Sequence, residues 1–410
     1  MKPAVPKQRQ MSLLSWVFGQ QDKAEKRPRL AAASEKGSLA AAIARRQERR
    51  ARNADLRAGD MQLPPPVVGY DVNVAKSCIS ACVGSLDIKL PLYPLPAQLQ
   101  VMDAAVKAME TGGVALLESP TGTGKTLALL GSALAFQQNC LMAWETSGQK
   151  LPPAPAIRNF SAAKADGAKP MSDKELETPR VVWVARTHDQ LQHAISELRR
   201  LPYRPLEALR ISRERFCLHP FVQHAPDKSS ACEMATMTRH GAALGGGISG
   251  CEHLDNAEAI GYPNQPSYRG KFEAGGELAV HDIEDLIAEG HATHTCPYHA
   301  ALDLTAEGAG LVFATYPQVF DPCVRGTSSF DAVLEGALVV IDEAHNVPQV
   351  AREAATYRST AGNLKKLLSN IQGLASATSE RDALQLADRV CLALSRLSTW
   401  LDEVVKGGSS

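Results

Sequence analysis

Apolar positions fall in short blocks, separated by polar and Gly/Pro-rich stretches. Leu86-Asp87-Ile88-Lys89-Leu90 alternates apolar with polar, the period of a half-buried strand. Residues 97–110 follow the 3.6-residue period of an amphipathic helix. Residues 114–117, 181–185, 311–314 and 338–341 carry no polar position: Val-Ala-Leu-Leu, Val-Val-Trp-Val-Ala, Leu-Val-Phe-Ala and Leu-Val-Val-Ile. Runs that short and that apolar are typical of strands covered on both faces of a parallel sheet. Helical composition follows at 126–139 and 189–200, so strands alternate with helices and the predicted fold class is α/β.

Between these blocks the chain changes character. Residues 1–66 are rich in Ala, Arg and Gln and close on Leu63-Pro64-Pro65-Pro66, which cannot continue a helix. Ordered structure is expected to begin near Ser85. A Pro-rich and then polar stretch across 139–178 predicts an insertion loop, and residues 213–300 hold four of the nine cysteines without long periodic stretches. From about 347 to 404 the pattern turns helical. The division this predicts is a basic leader over 1–83, an α/β domain in two parts (84–212 and 301–350), a cysteine-bearing insert over 213–300, and a helical segment over 351–410.

Composition narrows the class. The 410 residues carry 44 Lys plus Arg against 44 Asp plus Glu, so whole-chain charge says nothing about nucleic acid. Locally, residues 1–60 hold 14 basic against 6 acidic residues. No apolar run approaches the roughly 18 residues of a membrane span, and the N-terminal stretch lacks the apolar core of a secretory signal. Nine cysteines without such a signal point to a reducing compartment, where clustered thiols bind metal more often than they pair.

Two segments carry chemistry. Ser119-Pro120-Thr121-Gly122-Thr123-Gly124-Lys125-Thr126 lies between an apolar run and a helix, where loop N–H groups wrap a phosphate and glycines let the backbone approach it. There Lys125 would reach the β- and γ-phosphates of ATP, and the Thr126 hydroxyl would hold Mg²⁺. Asp342-Glu343-Ala344-His345 follows the last apolar run. A carboxylate at the C-terminal end of a buried strand sits where open α/β sheets bind ligands. Asp342 would organise Mg²⁺, and Glu343 would position and deprotonate the attacking water. Alone, the acidic tetrapeptide is an ordinary turn; with the phosphate loop in this order it marks a nucleotide-hydrolysing motor.

Cys217, Cys232, Cys251 and Cys296 are separated by 14, 18 and 44 residues. No short Cys-x-x-Cys pair is present, so spacing alone leaves a metal site and scattered buried thiols both open. His240 and His253 are nearby substitutes. Cys78, Cys82, Cys140, Cys323 and Cys391 fall outside this set.

These segments resemble a known family. Glu118 to Thr126 followed by Leu-Ala-Leu-Leu is similar to motif I of the superfamily 2 iron–sulfur DNA helicases of the xeroderma pigmentosum group D type. Asp342-Glu343-Ala344-His345-Asn346-Val347 is similar to their motif II, the DEAH box, and adds His345 to the catalytic set. Arg186-Thr187-His188-Asp189-Gln190-Leu191 resembles motif Ia, which implies DNA contact by Arg186, Thr187 and His188; alone, these read as a solvated strand end. Pro94-Leu95-Pro96-Ala97-Gln98 resembles the stretch whose Gln reads adenine. The flanks Phe216-Cys217-Leu218-His219-Pro220 and Thr295-Cys296-Pro297-Tyr298-His299 resemble the first and last cluster-ligand segments, so the resemblance implies a 4Fe-4S cluster on the four cysteines, with Zn²⁺ as the alternative. Residues 115–138 are most similar to the Fanconi anaemia group J branch, with the telomere-elongation branch next. Tyr316-Pro317-Gln318 departs from the Tyr-Asn-Tyr usual there.

The implied fold is a P-loop, recombinase-like parallel sheet with an inserted iron–sulfur domain and the start of a helical arch domain. The implied activity is an ATP-dependent 5′-to-3′ DNA helicase of nuclear DNA repair. Such motors close ATP against a second domain whose arginines stabilise the transition state. No Gln-x-x-Gly-Arg-x-x-Arg pattern occurs after residue 360, so the 410 residues alone are expected to bind ATP, hydrolyse it poorly and leave duplex DNA intact. An ATP-driven switch without unwinding and a zinc scaffold with a vestigial nucleotide site are the other readings; the intact Lys125, Thr126, Asp342 and Glu343 argue against the second. In the leader, Gln10 to Val17 resembles a peptide that inserts into the replication sliding clamp, although an apolar patch in a tail explains it too. Lys26-Arg27-Pro28-Arg29 reads as a nuclear import signal, a phosphate-contacting patch or a solvated basic tail.

Overall fold

The computed structural model describes residues 63–147, 178–237, 251–260, 266–356, 361–377 and 381–407. It divides into two compact units, Met1–Val347 and Pro348–Ser410.

In the first unit an antiparallel hairpin, β1 (Ile79–Val83) and β2 (Leu86–Leu90), pairs Ile79 with Leu90 and Val83 with Leu86. Gly84 turns the chain between them at φ +58, a conformation that glycine adopts without steric cost. Order therefore starts earlier than the leader 1–83 expected from the sequence. A short helix Val72–Ser77, capped by the Asp71 carboxylate, and the whole of β1 lie inside that stretch. The hint was weak because only Ala81 and Val83 of β1 are buried.

A four-stranded parallel sheet follows: β3 (Val181–Ala185), β4 (Glu207–Arg210), β5 (Leu311–Thr315) and β6 (Leu338–Ile341), ordered β4-β5-β3-β6. β3 is central, pairing Val181 with both Leu311 and Leu338, and all five of its residues are buried. This explains its unbroken apolar run, since both faces are covered. The helix His188–Arg200 leaves β3 with a capping box formed by Thr187 and Gln190. It buries Leu191, Ala194, Ile195 and Leu198 on one stripe, with Asp189 in its first turn and Arg199 and Arg200 in its last, as the helix dipole favours.

Sequence and structure part company at two strands. β4, Glu-Ala-Leu-Arg, has no strand-like pattern, yet every residue is buried. Burial pushes the Glu207 carboxyl well above its ordinary range, towards the neutral form. Conversely, the predicted buried strand Val114–Leu117 is absent from the sheet, with Val114 91% and Leu116 90% exposed. Composition cannot say which neighbour will pair with an apolar run. Here the run leaves the left-handed Gly112 cap of helix Pro96–Thr111 and passes into the phosphate loop unpaired, and β6 remains an edge strand. Beyond that loop, helix Lys125–Ser147 packs on β2 and on Pro96–Thr111.

The second unit contains helices Ala361–Ala377 and Arg381–Gly407, which pack on each other. Among the described residues no helix is long and apolar enough to cross a membrane.

Candidate nucleotide site and cysteine pocket

The loop Ser119–Thr126 turns on Gly122 and Gly124, at φ +78 and +72. A side chain at Gly124 would also collide: its Cβ would stand 2.4 Å from the Gln98 amide nitrogen. Gln98 sits in the first turn of helix Pro96–Thr111. Its Oε1 accepts the Leu95 N–H at 2.8 Å, and its Nε2 donates to the Gly124 carbonyl at 3.3 Å. Gln98 thus touches the phosphate loop, which follows it in sequence. The Lys125 ammonium donates to the carbonyls of Ser119 at 2.7 Å and Pro120 at 3.0 Å. The hydroxyls of Ser119 and Thr123 lie 2.8 Å apart, and Thr123 also donates to the Pro120 carbonyl. Thr126 stands one residue along, in the first turn of helix Lys125–Ser147.

The acidic turn leaves the C-terminal end of β6. The Asp342 N–H donates to the Val184 carbonyl at 2.8 Å, which carries the β6–β3 pairing one residue further. Burial, then the Glu343 charge, pushes the Asp342 carboxyl above its ordinary value, while the Lys125 and His193 charges pull it down. Glu343 adopts φ +54, a left-handed conformation that is rare for a non-glycine residue and is held by its surroundings.

Two side chains hold that conformation, and sequence reading gave neither a role. Tyr316 is buried, and its hydroxyl lies against the carbonyls of both Asp342 and Glu343. The phenol is pushed up to about 12, first by burial and then by the two carboxylates. Asn346 donates through Nδ2 to the Glu343 carbonyl at 3.1 Å. The departure Tyr316-Pro317-Gln318 thus keeps the member that holds the turn. Tyr316→Phe removes the phenol donor from both carbonyls, while Glu343 keeps the bonds from Asn346. It is expected to destabilise the unit by about 1–2 kcal/mol, read as a lower midpoint in urea unfolding with an unchanged slope.

The DNA-contact candidates stand beside this turn. Arg186 is exposed and donates to the Asn346 Oδ1 at 2.8 Å. The Thr187 hydroxyl accepts the Gln190 N–H, so it caps its own helix. His188 is half-buried and pushed below the ordinary histidine value, by burial and then by Arg215. His345 Nδ1 lies 3.2 Å from the Glu343 carboxylate.

A second site lies in the segment 213–300. Cys217 ends the turn Arg213–Phe216, Cys232 lies in helix Lys228–Met237, Cys251 precedes helix Glu252–Ile260, and Cys296 caps helix Pro297–Ala306. All four line one pocket, on a bed of Val222, Ala231, Ala235 and Leu254. Burial pushes the Cys296 thiol up to about 12 and raises Cys217, and in both the neighbouring cysteines add to the shift. Four thiols from four separate segments form a soft donor set, the kind that suits iron–sulfur clusters or zinc. Among the described residues, however, no three Cys, His, Asp or Glu side chains stand close enough to hold a metal ion, so ligation requires the thiols to draw together. Of the substitutes, His253 lines the same pocket and stacks on His294, whereas His240 lies outside the described residues. So do Gln10 to Val17 and Lys26 to Arg29.

The chain is similar in sequence to known proteins. Residues 183–364 match the DEAD_2 family profile. The chain is 29% identical over 339 residues to the mouse (Mus musculus) Regulator of telomere elongation helicase 1, covering 79% of this chain and 26% of the relative. It is 28% identical over 298 residues to the Drosophila mojavensis homolog, covering 70% of this chain and 27% of that protein. The chain thus spans about a quarter of the length of these relatives. Among solved structures, a chain named XPD_Helicase aligns with a TM-score of 0.36 at 15% identity, covering 74% of this chain and 40% of that one. The stretch that matches the DEAD_2 profile holds Arg186, all four pocket cysteines and the Asp342–His345 turn.

Proposed function

We propose that this chain is the nucleotide-binding motor domain of an ATP-dependent DNA helicase of nuclear genome maintenance, similar to the xeroderma pigmentosum group D type. The observation that carries the reading is the phosphate loop, with Lys125 on its carbonyls and Gln98 on Gly124, beside which Arg186 meets the acidic turn through Asn346. Lys125 would exchange the Ser119 and Pro120 carbonyls for phosphate oxygens. Thr126 and Asp342 would hold Mg²⁺, which neutralises phosphate charge, and Glu343 would orient the attacking water. Gln98 would read the adenine edge, and Arg186, Thr187 and His188 would face the DNA strand.

The four pocket cysteines would hold a 4Fe-4S cluster, and the segment around it would help part the duplex. The pocket supports the choice of ligands, and the resemblance favours iron–sulfur over zinc. Residues 115–138, the insertion over 139–178 and Val350–Tyr357 resemble the group J branch, and the direction of travel, 5′ to 3′, rests on resemblance. Contact with a sliding clamp through Gln10–Val17 rests on sequence.

The test is binding by the purified chain. MgATP and a single-stranded oligothymidylate are expected to bind together, ATP in preference to GTP. A chain that takes up neither, or on which the oligonucleotide displaces ATP by competition, would sink this reading.

A further inference from the structure

The helix His188–Arg200 offers one polar face to the cysteine-bearing segment. His188, Gln192 and Arg199 follow one another at intervals of four and seven positions, so they stack along one stripe beside the apolar one. On that stripe the Gln192 Nε2 donates to the Glu284 Oε2 at 3.3 Å. Two turns further on, the Arg199 Nη2 donates to the Asp282 Oδ2 at 3.0 Å and to the Asp285 Oδ2 at 2.6 Å. At the other end, burial and then the Arg215 charge of the same segment keep the His188 ring below the ordinary histidine value.

The acids that Arg199 meets are the cap of another helix. The Asp282 Oδ1 accepts the Asp285 N–H and the Asp285 Oδ2 accepts the Asp282 N–H, each at 3.0 Å, a capping box that starts helix Ile283–Thr293. The C-terminal end of one helix thus meets the N-terminal end of the other. Each charge at this joint is favoured by the dipole of its own helix, Arg199 in a last turn and the two aspartates at a start. The Asp282 side chain is only 11% exposed, which sets the bridge apart from a fully solvated pair.

Beyond this helix His294 turns the chain at φ +54, and Cys296 enters the pocket. Residues 282–296 therefore form one arm, held on helix His188–Arg200 at its start and carrying a pocket thiol at its end. Two carboxylates on one nitrogen admit few orientations of such an arm.

We propose that Arg199 is a positioning residue that ties the Cys296 arm to helix His188–Arg200, so that nucleic acid held at the start of that helix steadies the arm. The proposal rests on the reading in which Arg186, Thr187 and His188 meet nucleic acid. A bound nucleic-acid strand fixes the helix at its N-terminal end, and a helix held at one end tilts less at the other. The joint passes that restraint to the arm, and ordering supplied by the bound strand need not be supplied again at the pocket. By linkage, an arm steadied at the pocket favours strand binding by the same factor.

Hydrogen exchange read by mass spectrometry on peptides within 283–293 tests this, in the anaerobically purified chain with and without saturating oligothymidylate. In wild type the oligonucleotide is expected to slow exchange there about fivefold or more. Arg199→Ala is expected to fold, to keep its MgATP affinity and to need more oligonucleotide for saturation, and once saturated to show no slowing. Arg199→Lys is expected to keep the slowing, since one nitrogen serves both aspartates and an ammonium supplies one. A merely structural arginine would raise exchange in the free Arg199→Ala protein and leave the response to oligonucleotide in place. That result, a loss in Arg199→Lys as full as in Arg199→Ala, or binding by wild type with unchanged exchange overturns the proposal alone. Wild type that fails to bind a labelled oligothymidylate in fluorescence anisotropy overturns the reading beneath it as well.

Discussion

Lys125→Ala is expected to cut the affinity for MgATP about 100-fold or more, with the fold intact. The ammonium already donates to two loop carbonyls, so its geometry for receiving oxygen ligands is in place before nucleotide arrives. Exchanging those carbonyls for phosphate oxygens gains charge-assisted hydrogen bonds, each contributing about 1.5–3 kcal/mol. Loss of two such bonds amounts to about 3–6 kcal/mol, and each 1.4 kcal/mol is tenfold in affinity. Stability should change little, because Lys125 is only half-buried and the loop carbonyls it leaves can meet water. Lys125→Arg is expected to restore little, since a planar guanidinium does not fit a place shaped for a compact ammonium. Titration calorimetry with MgATP, beside thermal melts of parent and variant, decides the matter. Near-parental affinity in a folded Lys125→Ala protein would remove the phosphate loop from the argument.

How far the sequence foretold this site depends on what each feature needed from its surroundings. β3 and β5 were legible because burial on both faces writes itself as an apolar run; β6 carries the same kind of run at the sheet edge, although none of its residues is fully buried. β4 was not legible, because Glu207 and Arg210 are buried in spite of their charge, and only the packed fold makes that tolerable. Val114–Leu117 has the same signature as the true strands, yet stands exposed, since pairing is decided by neighbours. The phosphate loop and the acidic turn were legible as motifs because anion and Mg²⁺ chemistry fixes residue types at short spacing. The supports of the turn were invisible. Tyr316 lies 26 residues before Asp342, and Arg186 lies 160 residues before Asn346. No local pattern joins them.

The cysteines show the same logic at greater range, and they carry the other large prediction. With 14, 18 and 44 residues between successive members, spacing left metal site and scattered thiols open, and it is the fold that brings four segments to one pocket. Four soft sulfur donors from four segments lining one pocket are the set that a metal centre can turn into ligation. Anaerobically purified protein is therefore expected to contain about four iron and four acid-labile sulfide per chain. Cys217→Ser is expected to lose both, and Cys391→Ser, outside the pocket, to keep both. Ligation energy is folding energy where the apo site is loosely held. The segment 213–300 of Cys217→Ser should accordingly be cut by protease faster than that of the parent, while MgATP affinity is kept. Zinc in place of iron would preserve the four-thiol site and remove the cluster. No metal at all, with equal protease resistance in parent and variant, would leave four thiols packed as a small apolar core, and the part of the function that concerns parting the duplex would lose its structural support.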